Sequence, residues 1–382
     1  MVGFYLPDHE YREKYYSNGM KKKGHEVKLV TSNVYYKFSD IKGLQRKRIM
    51  DKIKLLDEDF VIRKKALFYF EDKVFFRIDD IIKKFDPDII HTFEATQYQP
   101  LIVAKLAEKY KIPLIYEHEQ RTFGKSFLAK IDSYITPIIL REVVKIARGI
   151  RALTPEALDF IKKYIGIIGK EISISTLGYN PEIFFYDLKI RNKKRSELGI
   201  KEREILVVIS GKNLKEKRTD LIIRALSSLQ NVKVITIGPK KFRGAYKSFP
   251  LLDPKELNKM YNAADLCVWT RYTVSYFQAL GTGCDILVPK TKYTLYLSKM
   301  IPAKIHTFQI ESIENQYLYK MKEEEIIKSI RKGFENFLIL NKKNNENNSR
   351  TIYSQIAREK FAWDQIINGL EKFYYKIYRK YR

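Results

Sequence analysis

The sequence has few cysteines and no long apolar run, and these shortages exclude several classes of protein. Its 382 residues include 2 cysteines, Cys267 and Cys284, too few for a disulfide framework and without the spacing of metal ligands. No apolar run approaches the ~20 residues that span a bilayer. The first residues also lack a basic leader followed by an apolar core. We therefore expect a cytoplasmic protein whose membrane contact, if any, is peripheral.

Acidic residues are scarce relative to basic ones. The chain has 72 Lys+Arg against 45 Asp+Glu, which gives a formal net charge of +27. Such a field attracts acidic partners, namely nucleic acid, anionic lipid or phosphorylated substrates. The alternative is a lysine-rich solvated surface, and the charge alone does not choose between them.

Apolar residues make up 45% of the chain, enough for a large core divided between two domains. Strand-like and helix-like segments alternate from the first residues: Val2–Leu6, Glu10–Lys23 and His25–Thr31 form a βαβ opening. A second alternating series begins at Ile205–Ser210, after a linker within 172–185. The pattern predicts an α/β fold with two doubly wound, Rossmann-like domains, residues 1–175 and 176–358.

Residues 359–382 read as a separate amphipathic helix. Its apolar positions recur at helical spacing, which favours packing back on the first domain over the alternative of membrane docking by its aromatic and basic faces. The preceding polar tract, 341–350, is expected at the surface.

Two lysines follow the buried strand-like run Ile205–Ile209. Gly211 comes directly after the strand, Lys212 and Lys217 lie in the next turn, and a helix begins near Thr219. Ligands collect at the carboxyl ends of strands in open α/β sheets, and a helix start offers free N–H groups to an anion. Two ammonium groups there can neutralise a diphosphate without a metal. The alternative is a solvated turn.

A second stretch, 270–289, passes from a strand end through a short helix to Gly281 and Gly283. Glycines at these positions let the backbone approach a ligand or the neighbouring domain closely. Taken alone, they mark a helix terminus.

Several stretches occur in one order along most of the chain: KKKGHEVKLVTS (21–32), PDIIHTF (87–93), YEHE (116–119), LGYNPEIF (177–184), SGKNLKEK (210–217), YNAADLCVW (261–269) and FAWDQI (361–366). In this order they resemble the retaining GT-B fold glycosyltransferases of family four. The resemblance implies two Rossmann-like domains facing a central cleft, the first for the acceptor and the second for a nucleotide sugar.

The resemblance also implies an activity and a donor site. A hexosyltransferase-type enzyme would move a sugar from a UDP- or GDP-sugar to an acceptor hydroxyl with retention, using no metal and no further cofactor. His118 would face the donor sugar. Lys212 stands in the place of the family's arginine and Lys217 matches its lysine, while Gly211 and Gly281 would border the donor.

The sequence departs from the family where two glutamates are expected eight positions apart. Thr270 and Gln278 occupy those positions, and an amide at 278 still accepts a hydrogen bond from a ribose hydroxyl. The glycine pair after the first strand is replaced by PDHEYR (7–12). A catalytically inert relative that binds a sugar nucleotide or a partner therefore stays an alternative.

Two patterns are typical of metal ligands but have simpler explanations. Asp86 and Asp88 flank Pro87 before a strand, at the amino end, where a helix-to-strand turn is expected. Glu117 and Glu119 point to the face of their strand opposite His118. We predict no metal site.

The basic charge leaves the acceptor open. A lipid-linked or membrane-surface glycan suits a basic cytoplasmic enzyme in peripheral contact with anionic lipid. The alternative is a sugar transferase that modifies nucleic acid, which would also need a positive surface.

Overall fold

The structure is a computed structural model that describes residues 2–5, 12–34, 57–70, 73–123, 127–165, 169–211, 217–310, 321–341 and 346–381. The chain divides into two compact units. The first comprises Met1–Thr176 with Ile366–Arg382, and the second comprises Leu177–Gln365. Each unit has a parallel β-sheet and its own apolar core.

The first unit alternates strands and helices along the chain. Its elements are α1 (Arg12–Lys22), β1 (Leu29–Ser32), β2 (Val61–Lys64), β3 (Ala66–Phe70), β4 (Lys73–Phe76), α2 (Asp79–Phe85), β5 (Ile90–Phe93), α3 (Gln99–Lys109), β6 (Leu114–His118), α4 (Phe127–Ile146), β7 (Gly149–Ala152), α5 (Pro155–Ile165) and β8 (Glu171–Ile174). β5, β6, β7 and β8 form a parallel sheet in that order, β1 pairs with β2 in parallel, and β3 with β4 form an antiparallel hairpin.

The predicted first strand is an extended segment rather than a regular strand. Val2 donates its backbone N–H to Val30, and Ser32 donates to Gly3, so this segment runs beside β1. Leu6, its predicted end, lies outside the described residues. The side chains of β6 are all buried.

The second unit contains α6 (Leu188–Leu198), β9 (Ile205–Ser210), α7 (Thr219–Leu226), β10 (Val232–Ile237), β11 (Lys247–Phe249), α8 (Pro254–Ala263), β12 (Leu266–Val268), α9 (Ser275–Gly281), β13 (Asp285–Pro289), α10 (Lys292–Met300), β14 (Ile305–Phe308), α11 (Glu323–Asn341) and α12 (Glu346–Phe361). Its six-stranded parallel sheet has the order β11-β10-β9-β12-β13-β14. The central strands are continuous apolar runs, as expected of strands covered on both faces.

Local signals at α8 explain where that helix begins. The Asp253 carboxylate accepts the backbone N–H groups of Lys255 and Glu256, and Pro254 occupies the first turn, where its missing N–H removes no hydrogen bond.

The last helix, α13 (Trp363–Tyr381), buries its apolar face: Ile366, Ile367, Leu370, Phe373 and Ile377. Phe373 and Ile377 pack with Ile115 in the first unit. The apolar face of α13 is therefore part of the packed interior rather than exposed. No helix among the described residues is long and apolar enough to cross a membrane.

In the described part of the polar tract 341–350, Arg350 departs from the prediction. Arg350 is buried, whereas the tract was expected at the surface. Its guanidinium donates to the backbone carbonyls of Ala264, Tyr261 and Thr282 at 2.7, 3.2 and 3.3 Å. Burial is tolerated because the two terminal amino groups of the guanidinium donate to these three carbonyls, although its Nε has no hydrogen-bond partner among the described residues.

Candidate functional site

The second unit has the strand order of a doubly wound sheet with a single point of reversal. From β9 the chain builds outward through β10 and β11, then returns to the other side of β9 with β12, β13 and β14. The reversal lies between β9 and β12. Ligands of open α/β sheets bind outside the carboxyl ends of the strands at such a switch point.

Hydrogen bonds fix the two strand ends that border the switch point. The Trp269 indole N–H, directly after β12, donates to the Ser210 carbonyl at the end of β9, at 2.8 Å. The hydroxyls of Ser210 and Tyr261 are 2.6 Å apart. All three residues are buried, so the hydrogen-bonded strand ends at the switch point are part of the core.

Lys217 folds back over the end of β9. Its Nζ lies 2.8 Å from the position that a Cβ on Gly211 would occupy, and Gly211 has a φ of +132°. The backbone conformation therefore favours glycine at 211. Lys217 is half-buried. Lys212, the second predicted cation, lies outside the described residues.

Thr270 holds the backbone of Lys217. It follows β12, it is buried, and its hydroxyl donates a hydrogen bond to the Lys217 carbonyl. This contact crosses the switch point from the β12 side to the turn after β9. The hydroxyl is thereby engaged within the unit, and its position fixes the base of the Lys217 side chain.

The helix after this turn begins without a side-chain cap. Arg218 is the N-cap of α7 in a left-handed conformation (φ 41°), and its side chain makes no capping hydrogen bond. Its guanidinium instead pairs with the Asp220 carboxylate at 2.9 Å, which balances the negative charge in the first turn. The N–H groups of a helix start without a side-chain cap are typical of anion sites.

Gln278 and Gly281 lie on α9, in the same unit. Gln278 is half-buried. A Cβ on Gly281 would lie 2.4 Å from the Tyr179 ring, and one on Gly283 would lie 2.3 Å from the Arg350 carbonyl oxygen. The close approach expected at both glycines is therefore made by residues of the unit itself.

His118 lies in the first unit, at the end of β6, and is fully buried. Its Nδ1 is 2.7 Å from the Tyr116 hydroxyl, and its ring stacks on Phe160 at 5.1 Å between centroids. Burial lowers the pKa of His118 to about 3, against a smaller opposing effect of the Gln120 backbone, so the imidazole is neutral at pH 7. Among the described residues its Nε2 has no hydrogen-bond partner of ordinary geometry.

A charged cluster beside His118 was not predicted. The Arg12 guanidinium contacts Glu117 at 2.9 Å, Glu119 at 2.6 Å and Glu94 at 3.6 Å. The shared contact of Glu117 and Glu119 with Arg12 agrees with their predicted position on one face of β6. Glu94 and Glu119 directly follow β5 and β6, and Glu117 lies within β6. Arg12 belongs to α1, which is distant in the sequence.

Glu94 is the unusual member of this cluster. It follows β5 directly with a φ of 52°, a conformation rare for a residue with a side chain, and its carboxylate accepts the Glu119 N–H at 2.5 Å. Burial raises the pKa of Glu94 to about 8, although Arg12 acts in the opposite direction. Its Oε2 lies 3.8 Å from the His118 Nδ1. Because Glu94 directly follows a strand, the sequence could have indicated it as a candidate site residue.

The two patterns typical of metal ligands have the expected structures. Asp86 is the C-cap of α2 and precedes β5, so residues 86–88 form a helix-to-strand turn. Among the described residues, no group of three or more His, Cys, Asp or Glu side chains is arranged to hold a metal ion.

Known structures share this architecture over nearly the whole chain. HepE from Anabaena, solved with UDP, has a TM-score of 0.64 at 12% identity, covering 98% of this chain and 98% of its own. Sucrose-phosphate synthase from Thermosynechococcus elongatus has a TM-score of 0.62 at 12% identity, covering 96% and 92%. A glycosyltransferase from Rickettsia africae has a TM-score of 0.61 at 12% identity, covering 96% and 94%.

The chain has the GT-B fold. Residues 6–157 also match the family described as glycosyl transferase 4-like, while no curated protein matches the chain. The predicted resemblance to GT-B glycosyltransferases and the predicted α/β fold with Rossmann-like domains are thus confirmed.

Within this GT-B fold, the predicted site residues fall into groups. Gly211, Lys217 and Thr270 meet at the switch point of the second unit. Gln278 and Gly281 share α9, and His118 lies in the first unit beside the unpredicted Glu94. The donor-site roles of these residues stay predictions.

Proposed function

We propose that the protein is a glycosyltransferase that moves a hexosyl group from a UDP- or GDP-sugar to an acceptor hydroxyl, with retention and without a metal. The observation that carries the proposal is the Lys217 ammonium group held over Gly211, at the switch point between β9 and β12. A cation at this place suits the diphosphate of a nucleotide sugar.

The chemistry requires stabilisation of the departing nucleoside diphosphate. The bond between the sugar C1 and the β-phosphate oxygen breaks, a bond from C1 to the acceptor oxygen forms, and the acceptor proton passes to the leaving phosphate. Charge then grows on the phosphate oxygens in the transition state. Lys217 and the first N–H groups of α7 are the groups that would stabilise this charge, and Lys212 would add a second cation.

The remaining site residues take supporting roles in this proposal. Gly211 lets the diphosphate approach the backbone, and Gln278 accepts a hydrogen bond from the ribose. His118 positions the donor sugar through its buried neutral imidazole. Thr270 acts as a positioning residue, since its hydroxyl holds the Lys217 carbonyl. Gly281 borders the donor from α9.

The donor class has support from a similar structure. HepE, which shares the fold at 12% identity, was solved with UDP. For this chain we accordingly place a UDP-sugar first and a GDP-sugar second.

The acceptor we propose is a lipid-linked or surface glycan, reached by a cytoplasmic enzyme at an anionic membrane. The net charge of +27 supports an anionic environment. A sugar transferase acting on nucleic acid shares that charge requirement. A catalytically inert relative is favoured by one observation: the Thr270 hydroxyl is engaged by Lys217, and neither position 270 nor 278 carries a carboxylate.

Nucleotide release tests the proposal. The purified chain, incubated with a UDP- or GDP-sugar, should release UDP or GDP slowly through hydrolysis. Lys217→Ala should lower the rate about 100- to 1000-fold, the typical effect of removing one preorganised donor to a developing oxyanion. Lys332→Ala, an exposed lysine on α11, is the matched control and should leave the rate unchanged. Binding of the nucleotide sugar with no release would favour the inert relative.

A further inference from the structure

α4 in the first unit has an apolar face whose described side chains are exposed. Phe127 and Tyr134 are each 77% exposed and Ile138 is 66% exposed, while Ile131 and Ile135 are exposed to a lesser degree. Their spacing of three to four residues places them on one side of the helix. The opposite side is also apolar and packs in the core through Ile139, Leu140 and Val143.

The charged residues on this exposed side all have one sign. Lys130, Arg141 and Lys145 are exposed, whereas Asp132 and Glu142, the acidic residues of α4, are half-buried. Asp132 is moreover paired with Lys73 at 2.7 Å. The outward side of α4 therefore combines five apolar residues with three basic ones and no exposed carboxylate among the described side chains.

We propose that this face of α4 docks the protein on an anionic lipid surface. A helix that lies in the plane of a membrane interface carries aromatic and aliphatic residues on the buried side and Lys or Arg at its border. Tyr134 and Phe127 suit the interface because their rings bury apolar area at the headgroup level. Each basic residue near such a surface adds about fivefold to the partition coefficient.

Other occupants fit the face less well. A second copy of the chain would bring Lys130 and Arg141 of both copies together, since a twofold interface uses the same surface twice. A nucleic acid would pair with the basic residues but leave the apolar side chains in water. Like the other described helices, α4 is not long and apolar enough to cross a membrane. The proposed helix therefore lies in the plane of the membrane interface.

The docking face rests on the proposed membrane-surface acceptor and adds the surface that would reach it, but lipid binding requires neither a donor nor a working switch point. It lies in the first unit, whereas Lys217 lies in the second. Membrane binding and nucleotide release are therefore measured separately, and a failure of one leaves the other interpretable.

Vesicle sedimentation of the full chain tests the docking face. Vesicles of equal parts phosphatidylcholine and phosphatidylglycerol should bind the protein, and vesicles of phosphatidylcholine alone should bind it at least about tenfold more weakly. Tyr134→Ser with Ile138→Ser should lower the partition coefficient on the mixed vesicles by about tenfold or more. The Lys217→Ala variant should bind as the wild type does.

The matched control is Ile339→Ser with Ile352→Ser, because these residues are 57% and 58% exposed on helices of the second unit. The control pair should bind vesicles as the wild type does. Equal binding by the α4 variant and the wild type, or an equal loss in the control pair, overturns the proposal. If the α4 variant had a lower oligomeric mass than the wild type in the absence of lipid, the proposal would be overturned in favour of a second copy. If the α4 variant lost binding to duplex RNA but kept binding to vesicles, it would be overturned in favour of nucleic acid.

Discussion

Lys217 depends on its neighbour Thr270 for its position. The Thr270 hydroxyl donates to the Lys217 carbonyl, so Thr270→Val removes the hydrogen bond while keeping the shape of the side chain. A hydrogen bond of this kind contributes about 1 kcal/mol. We expect a roughly fivefold lower rate of nucleotide release, with much of the effect on kcat.

A double-mutant cycle separates positioning from direct donor contact. If Thr270 acts through Lys217, Thr270→Val should have little further effect in the Lys217→Ala background. Full additivity of the two rate losses would show that Thr270 acts independently of Lys217.

His118 should make the first unit sensitive to acid. Its pKa is lowered to about 3 by burial, and an unfolded histidine titrates near ~6.5. Between these values the unfolded chain binds a proton that the folded chain does not, so stability falls as the pH is lowered. At pH 5 this histidine alone should lower the free energy of unfolding by about 2 kcal/mol relative to pH 7.

Urea unfolding of the wild type and His118→Gln at pH 7 and pH 5 measures this contribution. The variant lacks the titrating group, so the stability difference between the two proteins should narrow by about 2 kcal/mol at pH 5. A difference that is the same at both pH values would mean that His118 is accessible to protons in the folded state.

The site residues differ in how far the sequence could place them. Gly211 and Lys217 follow a buried apolar strand, and that local pattern is enough to predict their position at a strand end. Arg12 could not be predicted, because its partners Glu94, Glu117 and Glu119 come from strands more than eighty residues away. Glu94 directly follows β5 and carried a usable signal, but its left-handed conformation depends on tertiary contacts.

At the scale of the element, α12 is held to the second unit by the buried Arg350. Arg350→Ala would leave the carbonyls of Tyr261, Ala264 and Thr282 without this donor. We expect a loss of about 2–4 kcal/mol in the free energy of unfolding.

Arg358→Ala on the same helix is the control. Arg358 is exposed, and its nearest carboxylate, on Glu182, is 3.9 Å away. Its loss should change stability by less than about 0.5 kcal/mol. Equal effects of the two substitutions in urea unfolding would contradict the role assigned to Arg350.

Elements with strong local signals were predictable, and those defined by tertiary contacts were not. β9 forms where predicted, because a continuous apolar run marks it. The start of α8 is likewise marked by local residues, an N-cap followed by proline. The hairpin β3–β4 was not predicted, and its pairing is irregular between Ala66 and Phe68. Arg350 lies in a polar tract that gives no local indication of its distant acceptors.

At the scale of the whole molecule, the two units carry different parts of the proposed function. The second unit holds the switch point with Lys217, and the first holds His118, the Arg12 cluster and the exposed face of α4. The net charge of +27 predicted an acidic partner without naming it. The exposed side chains of α4 are the basis for proposing anionic lipid as that partner, and the sequence alone did not distinguish them from the buried side of the helix.

Thermal unfolding with a panel of UDP-, GDP- and ADP-sugars tests the central claim most directly, because binding at the switch point must stabilise the folded chain. At about 100 times its Kd, a true donor should add about 2.7 kcal/mol of stability. Lys217→Ala should lose most of this stabilisation, whereas Lys332→Ala should keep it. Stabilisation by no member of the panel, or equal stabilisation of wild type and Lys217→Ala, would contradict a diphosphate site at Lys217.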